Sequence, residues 1–224
     1  MAERKYFISI NGKYKELVAE FEYFSGFAKT QKYKSRDSLH NKIKEKYPNA
    51  RILEVSTKSQ DKELGQKLSA FNLTLNNYAL ESIFQSSKIF YDSHLRQEIN
   101  FKHLLYEKPL DAKREVRSFT NANKTARLIK FEYNDKIYNI NPKSYFYDYI
   151  YILALIESKL GNKLVDYDIF TDIEFNHKKS FNTQARACAI YSYMLKNHKV
   201  DYYLKSDENF LSLYKDFVAY CELF

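Results

Sequence analysis

The chain is short of the residues that bend and cross-link a backbone. Only 4 glycines and 3 prolines occur in 224 residues, too few for a turn-dense β-sandwich, a glycine-rich phosphate loop or a Pro/Gly linker, so helices should dominate. The two cysteines, Cys188 and Cys221, fall in segments of helical periodicity and lack a C-x-x-C neighbour, which points to a reduced, cytoplasmic protein. The five histidines, at 40, 94, 103, 177 and 198, pair with no Cys or second His at ligand spacing, so neither a metal site nor a cofactor is expected. His177, beside Lys178 and Lys179, reads as part of a solvated loop. No G-x-S-x-G elbow, G-x-G-x-x-G turn or Walker loop is present, which removes the usual signatures of acyl transfer, dinucleotide binding and NTP hydrolysis.

Long apolar runs are missing too. The opening "MAERKYFISING" carries an acid at position 3 and nothing able to act as a secretory signal. The most apolar later run, "YFYDYIYILALI", is interrupted by Asp148 and falls short of the ~20 residues of a membrane span, so it reads as a buried helix and no membrane partner is expected.

Rings and positive charge are abundant instead. With 21 Tyr and 17 Phe, the rings can line a site as well as fill a core. Net charge is +8, and the surplus is local. Residues 29–46 hold seven Lys/Arg against two acids, and residues 102–130 hold eight against three. Such excesses suit a phosphate-bearing partner, because neutralising phosphates releases condensed counterions. Arg36, Arg114, Arg117 and Arg127 add guanidinium forks that grip phosphate at two points. A merely Lys-rich surface is the competing explanation.

The length suits one α+β domain, mainly helical, with a few short strands. Strand-like runs occur at "KYFISI", "VAEFEYF" and "RILEVS", with a helix starting near Ser35 between the last two and a further strand at "LSAFNLTL". Asn134-Asp135 splits "ARLIKFEYNDKIYNI" into a hairpin. Pro142 in the first turn and Gly161 as a stop frame a long helix. "NTQARACAIYSYMLKNH" and "DENFLSLYKDFVAYCEL" are two more amphipathic helices.

"ALESIFQSSKIF", residues 79–90, has the spacing of a helix continuing to Tyr91, with Glu81, Gln85 and Lys88 on one stripe beside the Leu80, Ile83, Phe84 and Tyr91 face. Spacing alone leaves two readings open: an ordinary wet helix surface, or a group of catalytic side chains at the edge of the core.

This stretch resembles the signature helix of the NADAR (YbiA-like) family, V-E-H-A-Y-Q-A-x-K-F. Glu81, Phe84, Gln85 and Lys88 match, and Ser82 replaces the family His. "LSAFNLTL" is similar to the family's L-S-N-F-Y-P, and "PLDAKREVR" to S-P-x-x-A-K-x-x-G-R with Lys113 at its lysine. "FTDIEFNHKKSFNTQARA" resembles D-x-x-W-G followed by G-x-N-x-L-G; Asp172, Phe175 and Asn182 fit, while Asn176, Ser180 and Ala185 stand where the family has glycines. The extended N-terminal part, residues 1–60, is similar to the branch encoded with DarT-type toxins, and the resemblance spans a single domain over 1–224.

The resemblance implies an N-glycosyl hydrolase that removes ADP-ribose from guanine in DNA, an antitoxin acting by repair. On that reading the substrate is ADP-ribosylated, single-stranded DNA, ADP-ribose is the product, and the cognate toxin is a second partner. It implies Glu81 as the carboxylate facing a cationic sugar, and Lys88 or Lys113 as an amine able to trap an opened ribose. Ser69, Phe71, Gln85 and Arg114 become substrate-binding candidates. Asp172 and Asn182 become candidates for ribose or water contacts, with turn or cap roles equally open. Lys32, Lys34 and Arg36 are the nucleic-acid-binding candidates. The rival readings are a YbiA-type glycosidase of riboflavin-pathway intermediates and a non-enzymatic DNA- or toxin-binding protein.

Overall fold

The computed structural model describes residues 1–26, 28–178 and 182–222 of an α+β chain. Met1–Ser69 and Lys159–Phe224 make one compact unit, and Ala70–Ser158 another. The first unit opens with β1 (Ala2–Ile10) and β2 (Lys13–Phe21), followed by α1 (Lys29–Lys46) and β3 (Ile52–Glu54). The second holds β4 (Thr74–Leu75), β5 (Tyr78–Ala79), α2 (Leu80–Ser86), β6 (Lys88–Asp92), β7 (Gln97–Asn100), α3 (Pro109–Ala122), β8 (Ala126–Tyr133), β9 (Lys136–Asn139) and α4 (Tyr145–Glu157). The chain then completes the first unit with β10 (Ile169–Thr171), α5 (Gln184–Lys196), α6 (Val200–Leu204) and α7 (Asp207–Glu222).

In the first unit the sheet order is β2-β1-β10-β3, with β10 antiparallel to β1 and parallel to β3. β1 and β2 are joined at Asn11-Gly12, whose positive φ values of 51° and 70° suit the right-handed twist of a tight hairpin. This Asn-Gly turn explains why β2 begins at Lys13 rather than at "VAEFEYF". Tyr6, Ile8, Phe21, Leu39, Ile43 and Ile169 form its buried core. Gly65 is obligatory here, because a Cβ would collide with the Ser59 hydroxyl and the Glu54 carbonyl.

In the second unit an antiparallel sheet, β7-β6-β8-β9, carries the Asn134-Asp135 hairpin turn, with φ values of 49° and 58°. Phe84, Phe131 and Phe146 stack with ring centroids 4.7–6.4 Å apart. Phe90, Phe101, Leu104, Ala112 and Val116 form a second cluster.

Several elements differ from the sequence reading. The expected helix through Tyr91 stops at Ser86, where the Ser86 and Ser87 hydroxyls both donate to the Ile83 carbonyl, at 3.0 and 2.7 Å, and compete with the helical ladder. Ile89, Phe90 and Tyr91 then take the extended form that β-branched and aromatic side chains favour. "LSAFNLTL" contributes only the two residues of β4. Helix α1 starts before Ser35, whose buried hydroxyl instead accepts the Phe24 amide at 2.9 Å. Pro142 precedes α4, and Gly161 lies in a 3₁₀ segment beyond its end. Helix α3, unread in the sequence, begins with Pro109 at its first position, where a missing N–H costs nothing.

Among the described residues no helix is long and apolar enough to cross a membrane. Lys179 and Ser180 lie outside the described residues, as does the side chain of Cys221; Cys188 is a free, buried thiol.

Candidate active site

Helix α2 has no side-chain cap; its first amides are satisfied by the preceding loop, Leu80 N–H donating to the Leu73 carbonyl and Glu81 N–H to that of Ala70. Every α2 residue is buried, so the polar stripe is not a wet surface. Glu81 and Gln85 are each 5% exposed. Lys88, from the first position of β6, reaches back over the helix end and donates to the Gln85 Oε1 at 2.6 Å. The Gln85 Nε2 donates in turn to Glu81 Oε1 at 2.8 Å. Lys113, on α3, brings its Nζ to 3.5 Å from the same oxygen. The result is a Lys113–Glu81–Gln85–Lys88 chain in which one amide separates a carboxylate from an amine.

Two rings frame the amines. Lys88 Nζ lies 4.5 Å from the centre of Phe84, and Lys113 Nζ lies 5.2 Å from that of Phe71. Burial pushes the Lys88 amine down to about 8; the Lys113 cation adds to this, and the Glu81 charge opposes it. Roughly one-tenth of Lys88 is therefore neutral at pH 7, against less than ~0.1% of an ordinary lysine. Ser82, at the family's His position, is buried and donates to the Glu107 carbonyl at 2.9 Å, tying α2 to the segment before α3. Arg114 is exposed and leans towards Asp111 at 3.5 Å, outside the chain of four.

The remaining substrate-binding candidates lie in the first unit. Ser69 is buried there. Asp172 accepts the Glu174 amide at 3.1 Å and the Thr183 hydroxyl at 3.2 Å, the turn role left open by the sequence. Asn182 stands just before Thr183, the residue preceding α5. Neither Asn176 nor Ala185 has positive φ, so the backbone does not require glycine at either position.

Beside Asp172 in sequence is a network that sequence reading missed. Glu54, at the end of β3 and 3% exposed, accepts the Ser56 hydroxyl at 2.6 Å, the Thr171 hydroxyl at 2.7 Å and the Ile173 amide at 2.9 Å. The His40 Nε2 contacts the Thr171 Oγ1 at 2.8 Å and lies 3.8 Å from Glu54. Burial works against the Glu54 charge, yet His40, Ser56 and the Ile173 amide hold its carboxyl below the usual range. Asp172 goes the other way, raised by burial and by the Glu54 charge. The only signal in the sequence was a lone acid within the strand-like run "RILEVS".

Helix α1 coincides with the basic stretch 29–46, and three of its seven cations, Lys32, Arg36 and Lys42, lie within 4 Å of a carboxylate. Arg36, expected to meet nucleic acid, turns inward: its side chain is 4% exposed, with Nη1 on the Lys58 carbonyl at 2.6 Å and Nη2 on Asp37 at 2.7 Å. Lys32 donates to the Tyr23 hydroxyl at 3.0 Å and lies 3.6 Å from Glu174. Lys34 is exposed, beside a groove that Glu20, Glu22, Asp37 and Glu45 line together with Lys42. Among the described residues no group of three or more His, Cys, Asp or Glu is placed to hold a metal ion.

Fold and site together define a carboxylate–amide–lysine centre on an α+β scaffold. The family model described as the DarT1-associated NADAR antitoxin matches residues 2–221, and the chain belongs to that family. Its role is thus that of an antitoxin associated with DarT1. Among curated proteins none matches it.

Proposed function

We propose that this antitoxin is an N-glycosyl hydrolase that frees guanine in DNA from ADP-ribose. The observation that supports this best is the Lys113–Glu81–Gln85–Lys88 chain, which holds a buried carboxylate near an amine depressed to about 8. Breaking the bond between the ribose C1′ and the base nitrogen develops positive charge on the sugar. Glu81 supplies the fixed negative charge that favours this state. The neutral Lys88 amine forms a bond to C1′ with its lone pair as the bond to guanine breaks; guanine leaves with the electrons of the broken bond and takes up the proton that the Lys88 nitrogen releases. The ribose ring then opens to an imine on Lys88. Water adds to the imine carbon, ADP-ribose departs, and the amine is restored.

Gln85 positions both partners, since its N–H and C=O are used on Glu81 and Lys88 respectively. Lys113, half exposed and 3.5 Å from Glu81, is the residue assigned to the diphosphate. The test is release of ADP-ribose from an ADP-ribosylated single-stranded oligonucleotide. Release at a rate proportional to enzyme is expected; tight binding of that oligonucleotide without release would overturn the reading.

A further inference from the structure

Both basic stretches keep exposed cations without a carboxylate partner among the described residues, but only residues 102–130 belong to the unit that holds the Glu81 chain. On α1, Arg36 is buried, Lys32 is paired, Lys42 meets Glu45 at 2.6 Å, Lys34 borders an acid-rich groove, and Lys29, Lys44 and Lys46 are exposed. In residues 102–130, Lys102 and Lys130 are spent on Glu132 and Glu98, at 2.6 and 2.9 Å. Lys113 and Arg114 lie 3.5 Å from Glu81 and Asp111. That leaves Lys108, Arg117, Lys124 and Arg127 exposed, and among the described residues none of the four has a carboxylate partner.

Their order along α3 is regular. Ala112 and Val116 face the core, so Lys113 and Arg117, four apart, share a neighbouring face about 6 Å apart along the axis. Lys124 follows just past the helix end, and Lys108 precedes its start. At the head of this run Tyr106 is 77% exposed, its ring propped edge-on against Tyr78 at 5.7 Å. Glu107, the next residue, accepts the Ser82 hydroxyl beside Glu81. An exposed ring heading a line of free cations, both beginning at the candidate site, is the pattern of a single-strand track: cations follow the phosphates and the ring stacks a base.

We propose that the DNA strand flanking the modified base runs along α3, with phosphates on Arg117 and Lys124 and a neighbouring base on Tyr106. This rests on the hydrolase reading for its choice of DNA. It moves the nucleic-acid surface from α1 to α3.

The experiment is binding of an unmodified single-stranded oligonucleotide to the full chain across a salt series. The Arg117→Glu/Lys124→Glu variant should bind at least tenfold more weakly at low salt, and its log–log salt slope should fall by about 1.4, or roughly 0.7 for each phosphate that is no longer neutralised. Tyr106→Ala should weaken binding about tenfold with the slope unchanged. Lys34→Glu should change affinity less than twofold, and calorimetric binding of free ADP-ribose should be the same in all. Single Arg117→Gln and Lys124→Gln variants repeat the test if the double variant melts early. Weakened binding in Lys34→Glu and none in the α3 variants would overturn the proposal. So would a double variant that keeps oligonucleotide but no longer binds the toxin, which would make α3 a protein-docking face. Oligonucleotide binding through α3 without ADP-ribose release would sink the hydrolase reading and leave the track standing.

Discussion

Replacing Glu81 by Gln removes one negative charge from the chain of four while keeping nearly the same shape. The substituted amide oxygen can still accept from the Gln85 Nε2, now 2.8 Å from the carboxylate. The ion pair removed is 3.5 Å long, to a lysine whose side chain is 52% exposed, and such half-solvated pairs contribute at most ~1 kcal/mol. Stability should therefore change by about 1 kcal/mol or less. Catalysis should not be so tolerant. A fixed charge aimed at developing charge is worth ~10²–10³ in rate, so the plateau rate should fall by that factor. The pH profile carries a second signature. Glu81 favours the charged form of Lys88, so its removal should move the rising limb, expected near the Lys88 value of about 8, to lower pH. The assay is chromatographic release of ADP-ribose from a modified oligonucleotide between pH 6 and 10, beside thermal melts. A plateau within tenfold of wild type at unchanged melting would refute the electrostatic role. Abolished release together with an early melt would make Glu81 a structural support.

Borohydride added during turnover should reduce the imine and leave one ADP-ribosyl adduct on Lys88, absent in Lys88→Ala; mass spectrometry finding it on Lys113 would transfer the nucleophile to α3. Asp172→Asn tests the buried network. Because its carboxyl is raised, Asp172 contributes stability that is complete below its unfolded value of about 4 and is lost as pH climbs through the folded one. The variant should accordingly gain stability relative to wild type as pH rises from 5 to 9; parallel melting curves would contradict this. Finally, turnover should survive EDTA, since no expected step uses a metal, and restoration of a chelated enzyme by Zn²⁺ or Mg²⁺ would discard the Glu–Lys mechanism.

What the sequence could reveal depended on how local the determinants were. The Asn134-Asp135 hairpin, α5 and α7 were legible because turn chemistry and a repeating apolar face lie within a few residues. The stripe Glu81, Gln85, Lys88 was legible for a reason that proved only half right. Helical spacing does bring Gln85 onto Glu81, but Lys88 reaches Gln85 from a strand, after Ser86 and Ser87 have ended the helix. Composition misled most at α1, because a count of lysines and arginines cannot see that Arg36 turns inward to the Lys58 carbonyl, 22 residues away. The same blindness hid Glu54, whose partners Thr171 and Ile173 come from the end of a strand more than a hundred positions later, parallel to its own, and from the residues just after it. A charge becomes informative only when its partner is known, and for Arg117 and Lys124 the lack of a carboxylate partner counts because α3 starts just after Glu107, which is tied to Ser82 beside Glu81.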